Sequence, residues 1–232
     1  MPAWNSPRYG ANRVADDTLQ VDLVVDFVCP WCWLGHRNWQ KARELMPEVA
    51  TETIFRPHEL DPSIPPQGLP YKAYMEAKFS GTNRDRWQQM REHLEAAAPA
   101  AGIEFRFGEI EHRPSTVNAH RLMRWARGQD NAVAETIADE LFSAYFRELK
   151  DIGDPEVLIA IGAEGGLDTA ILTDLFSTDR DAAAVRDEAM FFARLGVNGV
   201  PTYIFNGKFA VPGAVAPETL VEAAKEALSD GD

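Results

Sequence analysis

Cysteine is nearly absent from this chain: its 232 residues hold two, Cys29 and Cys32. Two cysteines cannot build a scaffold of several disulfides. They also leave a four-ligand structural zinc site without its second pair, so no metal is expected. No uninterrupted apolar run reaches the roughly 20 residues of a membrane-spanning helix, and the first 17 residues lack the apolar stretch of a secretory leader. A cytoplasmic location and no membrane partner are the expectation. Lysine and arginine number 23 against 36 acidic residues, a formal net charge of −13, and the basic residues are scattered. That disfavours a nucleic acid partner, whose phosphates require clustered positive charge. Neither a Ser-His-Asp set nor a Gly-rich phosphate loop stands out.

What is present is concentrated in Cys29-Pro30-Trp31-Cys32. Residues 19–28 are mostly apolar and suit a buried strand, Pro30 suits a first helical turn, and few helix breakers follow through residue 46. A thiol at a helix start meets unpaired N–H groups and the positive end of the helix dipole, which favour thiolate. Cys29 is thus the expected attacking sulfur. Cys32, three residues on and on the same helical face, is the expected resolving thiol. Two small core residues and half a metal site are the alternatives. A pair kept reduced in a cytoplasmic setting favours activity over structure.

Further on, residues 51–60 alternate as a second strand and close on Pro-rich turns. Helical patterns then occupy 71–79, 84–101, 117–127, 131–150, 155–162, 168–178 and 181–195. Strand character returns at 202–205 and 209–211 around Asn206-Gly207, a pair that favours a type I′ hairpin, before a last helix over 217–228. The outline is βαβ, a helical insertion, then ββα. It predicts an α/β chain with a thioredoxin-like fold and a large all-helical insertion. The expected division is a flexible tail over 1–18, a discontinuous thioredoxin-like domain over 19–62 and 196–230, and an insertion over 63–195.

Several other residues invite a chemical role beside a plainer one. Asp26 is polar within an apolar strand and is a candidate for proton transfer or for holding water, or else a strand-end carboxylate. Trp31 offers apolar contact to a substrate, whereas Trp33 suits packing. His36 suits a solvated helix face, and His58 and His120 lie far from the thiols in sequence and suit structural roles. Gly199 either permits a close approach of chains or simply forms a turn.

The stretches DFVCPWCWLG at 26–35, FRPHELDP at 55–62, AHRLMRWA at 119–126, LFSAYFRELKDIGDPEVL at 141–158 and LGVNGVPTYIFNGKFAVPGA at 195–214 resemble the DsbA-like family of thioredoxin-fold oxidoreductases, in particular its FrnE-like branch. More distantly the chain is similar to kappa-class glutathione transferases and 2-hydroxychromene-2-carboxylate isomerases. The resemblance implies an active-site pair at Cys29 and Cys32 and a cis-proline at Pro201 facing it. It further implies that the Val200 backbone docks an extended peptide or glutathione. The transferase and isomerase relatives usually carry serine where this chain has Cys29, and they lack the second thiol. Two cysteines can exchange electrons directly, which places disulfide oxidoreductase ahead of glutathione-dependent transfer or isomerisation of a small aromatic substrate. A peptide-binding chaperone is the non-catalytic alternative. Expected partners are a disulfide-containing peptide or protein, or glutathione with a small molecule. No cofactor is expected to be tightly bound, and a monomer and a homodimer are both open.

Overall fold

The computed structural model describes residues 18–81 and 83–229, so all but the last residue of the expected tail lies outside it. Four strands form one sheet in the order β2-β1-β5-β6, with β1 at Leu19–Val25, β2 at Thr51–Pro57, β5 at Thr202–Phe205 and β6 at Phe209–Pro212. Every residue of β1 except Gln20 is buried, as its apolar composition requires of a central strand. β1 runs parallel to β2 from Leu19↔Thr51 to Val25↔Pro57, and antiparallel to β5 from Val21↔Phe205 to Val24↔Thr202. The parallel step is bridged by α1, Pro30–Glu44. Asn206 and Gly207 both adopt positive φ, and Lys208 N–H closes the turn on Phe205 O at 2.8 Å, the expected hairpin geometry.

Between β2 and β5 lies the large helical region, comprising α2 at Tyr71–Lys78, α3 at Asn83–Ala97, α4 at Val117–Gln129, α5 at Asn131–Phe146, α6 at Pro155–Glu164, α7 at Thr169–Phe176 and α8 at Ala182–Arg194; α9, Pro217–Ser229, closes the chain. Capping chemistry explains several boundaries. Asp130, Asp154 and Asp168 each accept a hydrogen bond from an N–H in the first turn of the helix that follows, and Pro155 starts α6 where its missing N–H is harmless. The helix expected over 84–101 stops at Ala97, and Pro99–Ala101 continue as a 3-10 turn. The helix expected to reach 150 ends at Phe146, with Leu149 at φ 62°. One element was invisible to patterning: β3 at Leu69–Pro70 pairs with β4 at His112–Arg113, two residues each, too short for any alternation to register.

Aromatic packing fixes the helical region against α1. Trp33 is buried as its packing role anticipates, stacking on Phe146 at 5.9 Å and meeting Phe105 edge-on at 5.5 Å. A charged network ties the sheet to α4 and α8. Asp22, 1% exposed in the middle of β1, accepts from Arg56 Nε at 2.7 Å; Arg56 Nη1 donates to Glu188 Oε1 at 2.9 Å, and Arg127 Nη2 to Glu188 Oε2 at 3.0 Å. His36 departs from expectation. It is fully buried because α5 covers that face of α1, and its Nε2 lies 3.3 Å from Asp139 Oδ1 while its ring meets Phe55 edge-on.

Candidate active site at the start of the first helix

β1 stops at Val25 and residues 26–29 turn before α1 begins, with Cys29 N–H donating to Asp26 O at 3.0 Å. Cys29 is the N-cap of α1, in extended geometry, and Pro30 is its first helical residue. The Cys29 side chain makes no hydrogen bond to the helix-start N–H groups. As a thiol it is a donor, and Sγ lies 3.7 Å from its acceptor, Val200 O. Both cysteines are free, Cys29 at 4% exposure and Cys32 at 0%. Burial, reinforced by the neighbouring Cys29, pushes the Cys32 thiol well above the range of an ordinary cysteine. The two sulfurs thus occupy different environments one helical turn apart.

Opposite the pair, the Val200-Pro201 peptide bond is cis. Pro201 is buried, Val200 half-buried, and Gly213 N–H donates to Pro201 O at 2.8 Å. Gly199 has open space where a side chain would stand, which fits turn formation rather than a close approach. Trp31, half-buried, packs against the edge of the core and meets the exposed His93 of α3, with ring centroids 5.4 Å apart.

The close approach falls on Gly35 instead. A Cβ there would sit 2.6 Å from Tyr203 Oη and 2.7 Å from Pro201 Cγ, and Tyr203 Oη is held in place by donating to Gly35 O at 2.8 Å. Helix and proline loop are packed through the missing side chain. Gly35→Ala is expected to cost about 1–3 kcal/mol, as overpacking does, and to lower Tm by about 2–12 °C in a chain of this size. Because the displaced partner is Pro201, disulfide exchange should slow even in the folded fraction; thermal unfolding beside a rate measured well below Tm checks both.

Asp26 is entirely buried. Its Oδ2 accepts from Leu60 N–H at 2.8 Å, and its Oδ1 has no hydrogen-bond partner. His120 Nε2 stands 3.7 Å from Oδ1, a near approach longer than a formed hydrogen bond. Burial pushes the Asp26 carboxyl up, but His120, Arg113 and the Leu60 N–H outweigh it and hold the carboxyl below its ordinary value. The Asp26 charge in turn adds to the upward push on Cys32. Of the residues singled out in the sequence, Cys29 approaches the Val200 carbonyl, Pro201 follows through the cis bond, Asp26 acts on Cys32 through its charge, and Trp31 meets His93; His120, read from the sequence as structural, stands beside Asp26. One signal was available: Val117, His120 and Met123 follow helical spacing on the buried face of α4.

A cavity of about 570 Å³ lies elsewhere, between residues 108–112 and 145–151, and contains neither cysteine. Among the described residues no three His, Cys, Asp or Glu side chains gather as a metal site.

The chain is 27% identical over 212 residues to the uncharacterised protein YwbO of Bacillus subtilis, covering 89% of this chain and 96% of that one. Its structure is similar to that of a probable DsbA oxidoreductase from Streptomyces coelicolor, with TM-score 0.82, 26% identity and 92% of each chain covered. It shares its fold with the cytosolic disulfide reductase DsbM of Pseudomonas aeruginosa, solved with GSH, at TM-score 0.58 and 15% identity over 91% of this chain and 96% of that one. A DsbA-like fold carrying a closely spaced cysteine pair is the architecture of a thiol–disulfide oxidoreductase. The pattern of the DSBA-like thioredoxin domain matches residues 20–225, and the chain belongs to that family.

Proposed function

We propose that Cys29 and Cys32 undergo thiol–disulfide exchange with a substrate disulfide, Cys29 attacking and Cys32 resolving. The observation that carries this is the inequality of the two sulfurs on one helical turn: Cys29 at the rim beneath the Val200 carbonyl, Cys32 fully enclosed, its thiol pushed up by that burial. In the first step the Cys29 thiolate attacks one sulfur of the substrate disulfide, an S–S bond to Cys29 forms, and the other substrate thiolate leaves. In the second, Cys32 gives up its proton and attacks Cys29. The substrate's remaining sulfur then leaves as thiolate, so the substrate is reduced and the protein oxidised. Asp26, whose charge reaches Cys32, is the proposed acceptor of that proton.

Val200, Pro201 and Trp31 are the proposed substrate contacts, with an extended peptide aligned beside the Val200 backbone. Glutathione is the proposed redox partner or cosubstrate, supported by the GSH complex of the structurally similar DsbM. The same protein's cytosolic description supports a cytoplasmic site of action, and no described helix is long and apolar enough to cross a membrane. The five stretches quoted above support placement in the FrnE-like branch, with residues 19–62 and 196–230 as the thioredoxin-like unit and 63–195 as its insertion.

Insulin reduction driven by glutathione, beside glutathione conjugation of a small aromatic electrophile, tests the substrate class. Wild-type protein should accelerate the first, and Cys32→Ser should fall to the uncatalysed rate. Conjugation that survives Cys32→Ser while insulin reduction is absent from wild type would instead indicate a transferase.

A further inference from the structure

Two of the sequence stretches that carried no chemistry, 55–62 and 119–126, converge on the buried Asp26. From the first, Leu60 N–H donates to Asp26 Oδ2 at 2.8 Å while the His58 carbonyl accepts from His120 Nε2 at 3.1 Å. From the second, His120, 3% exposed, brings that same Nε2 within 3.7 Å of Asp26 Oδ1. A carbonyl oxygen only accepts, so Nε2 carries a hydrogen in this arrangement. The ring is held by Phe27, whose centroid is 5.2 Å away. An N–H with one bond already made thus faces a buried carboxylate oxygen that has none.

Building on the exchange reaction above, we propose that His120 is a positioning residue whose Nε2–H, anchored on the His58 carbonyl, is the adjustable donor that keeps Asp26 ready to take the Cys32 proton. During resolution the Cys32 S–H bond breaks and its proton passes to Asp26 Oδ1. The Cys29–Cys32 bond forms as the Cys29–substrate bond breaks, and the departing thiolate carries the electron pair. The His120 N–H then relaxes fully onto the His58 carbonyl, and Asp26 returns its proton to the leaving thiolate or to water. Besides His120, the charged and titratable groups around Asp26 are Cys32 of α1, His58 and Glu59 on the same loop, Arg113 of β4 and Tyr145 of α5; Arg186 of α8 acts on Glu59. None of them makes a hydrogen bond to Oδ1, and among the described residues His120 is the cationic side chain at ion-pair distance from it, 3.7 Å.

The test uses the full chain and glutathione as probe. Reduced protein is mixed with oxidised glutathione, and the release of glutathione from the Cys29 mixed disulfide is timed from about pH 3 to about pH 8. In wild type the rate should hold until Asp26 is protonated, placing the acid limb below the ordinary carboxylate range. His120→Phe keeps a ring against Phe27 but loses the N–H, and its limb should move up by at least about one pH unit, a roughly tenfold slowing between the two limbs. His120→Gln, whose amide reaches the Nε2 position, should move the limb back toward wild type. If His120→Phe does not fold, His120→Asn, whose amide stops short of that position, replaces it with the same expectation. Coincident limbs in wild type and His120→Phe, or an equal shift in His120→Gln, with Asp26→Asn slowed throughout, would overturn the role of His120 alone. Asp26→Asn resolving at the wild-type rate would remove the acceptor and His120 with it, and wild-type protein releasing no glutathione at any pH would remove the exchange reaction itself.

Discussion

Cys32→Ser is expected to stop the reaction halfway, with the substrate held on Cys29 as a stable mixed disulfide in nearly stoichiometric yield. Cys29→Ser should capture nothing and exchange disulfides no faster than solvent thiols do. The asymmetry follows from position. Cys29 caps α1 at the edge of the site with its Sγ under the Val200 carbonyl, whereas Cys32 is sealed beneath it at 0% exposure. Burial and the adjacent Cys29 keep the Cys32 thiol protonated at neutral pH, so it is a poor first nucleophile and becomes competent once a mixed disulfide stands on its neighbour and a base takes its proton. Non-reducing mass spectrometry after incubation with a disulfide peptide distinguishes the variants. Equal capture by both would overturn the assignment of roles.

The largest loss of stability is expected from Arg56→Met. This change leaves Asp22, 1% exposed in the central strand, without the guanidinium that its Oδ1 accepts from at 2.7 Å. Stranding one member of a buried ion pair costs about 3–5 kcal/mol, or a fall in Tm of about 6–20 °C for a chain of this length. The deficit should depend on pH. Burial already pushes the Asp22 carboxyl above its ordinary value of 3.8, although Arg56 pulls it down. Removing Arg56 raises it further. A carboxyl raised by folding favours the folded state while protonated, and that support is lost as pH rises through its folded value. The variant should therefore come closest to wild type in acid, below the ordinary aspartate value, and fall progressively behind toward neutral pH. Thermal unfolding of both proteins across that range measures it; a deficit constant with pH would contradict the buried-pair account.

Legibility in the sequence followed the range of the interaction. The succession of strands and helices along the chain, the helical region and the type I′ hairpin were readable because alternation, helical spacing and Asn206-Gly207 are local patterns, and the cysteine pair announced itself through its spacing and its place between strand and helix. Asp22 was hidden inside an apolar strand, since the partners that make its burial tolerable, Arg56 and Glu188, lie 34 and 166 positions away in the chain. Nothing local marks Gly35, because the Pro201 and Tyr203 side chains that crowd it lie more than 160 positions away in the chain. His36 was placed on a solvated face because its helix was read alone, and α5 then covered it. His120 and Asp26 are 94 residues apart, and only the packed fold brings imidazole and carboxylate together.

The central claim, reversible dithiol–disulfide cycling between Cys29 and Cys32, is tested most directly by counting thiols. Protein is equilibrated in glutathione buffers graded from reducing to oxidising, quenched in acid, alkylated and weighed intact. The account predicts that both thiols disappear together to give a species lighter by two hydrogens before alkylation, and that both return when the buffer is made reducing. Two alkylatable thiols persisting across the whole series, or oxidation that halts at glutathione bound to one cysteine, would contradict it.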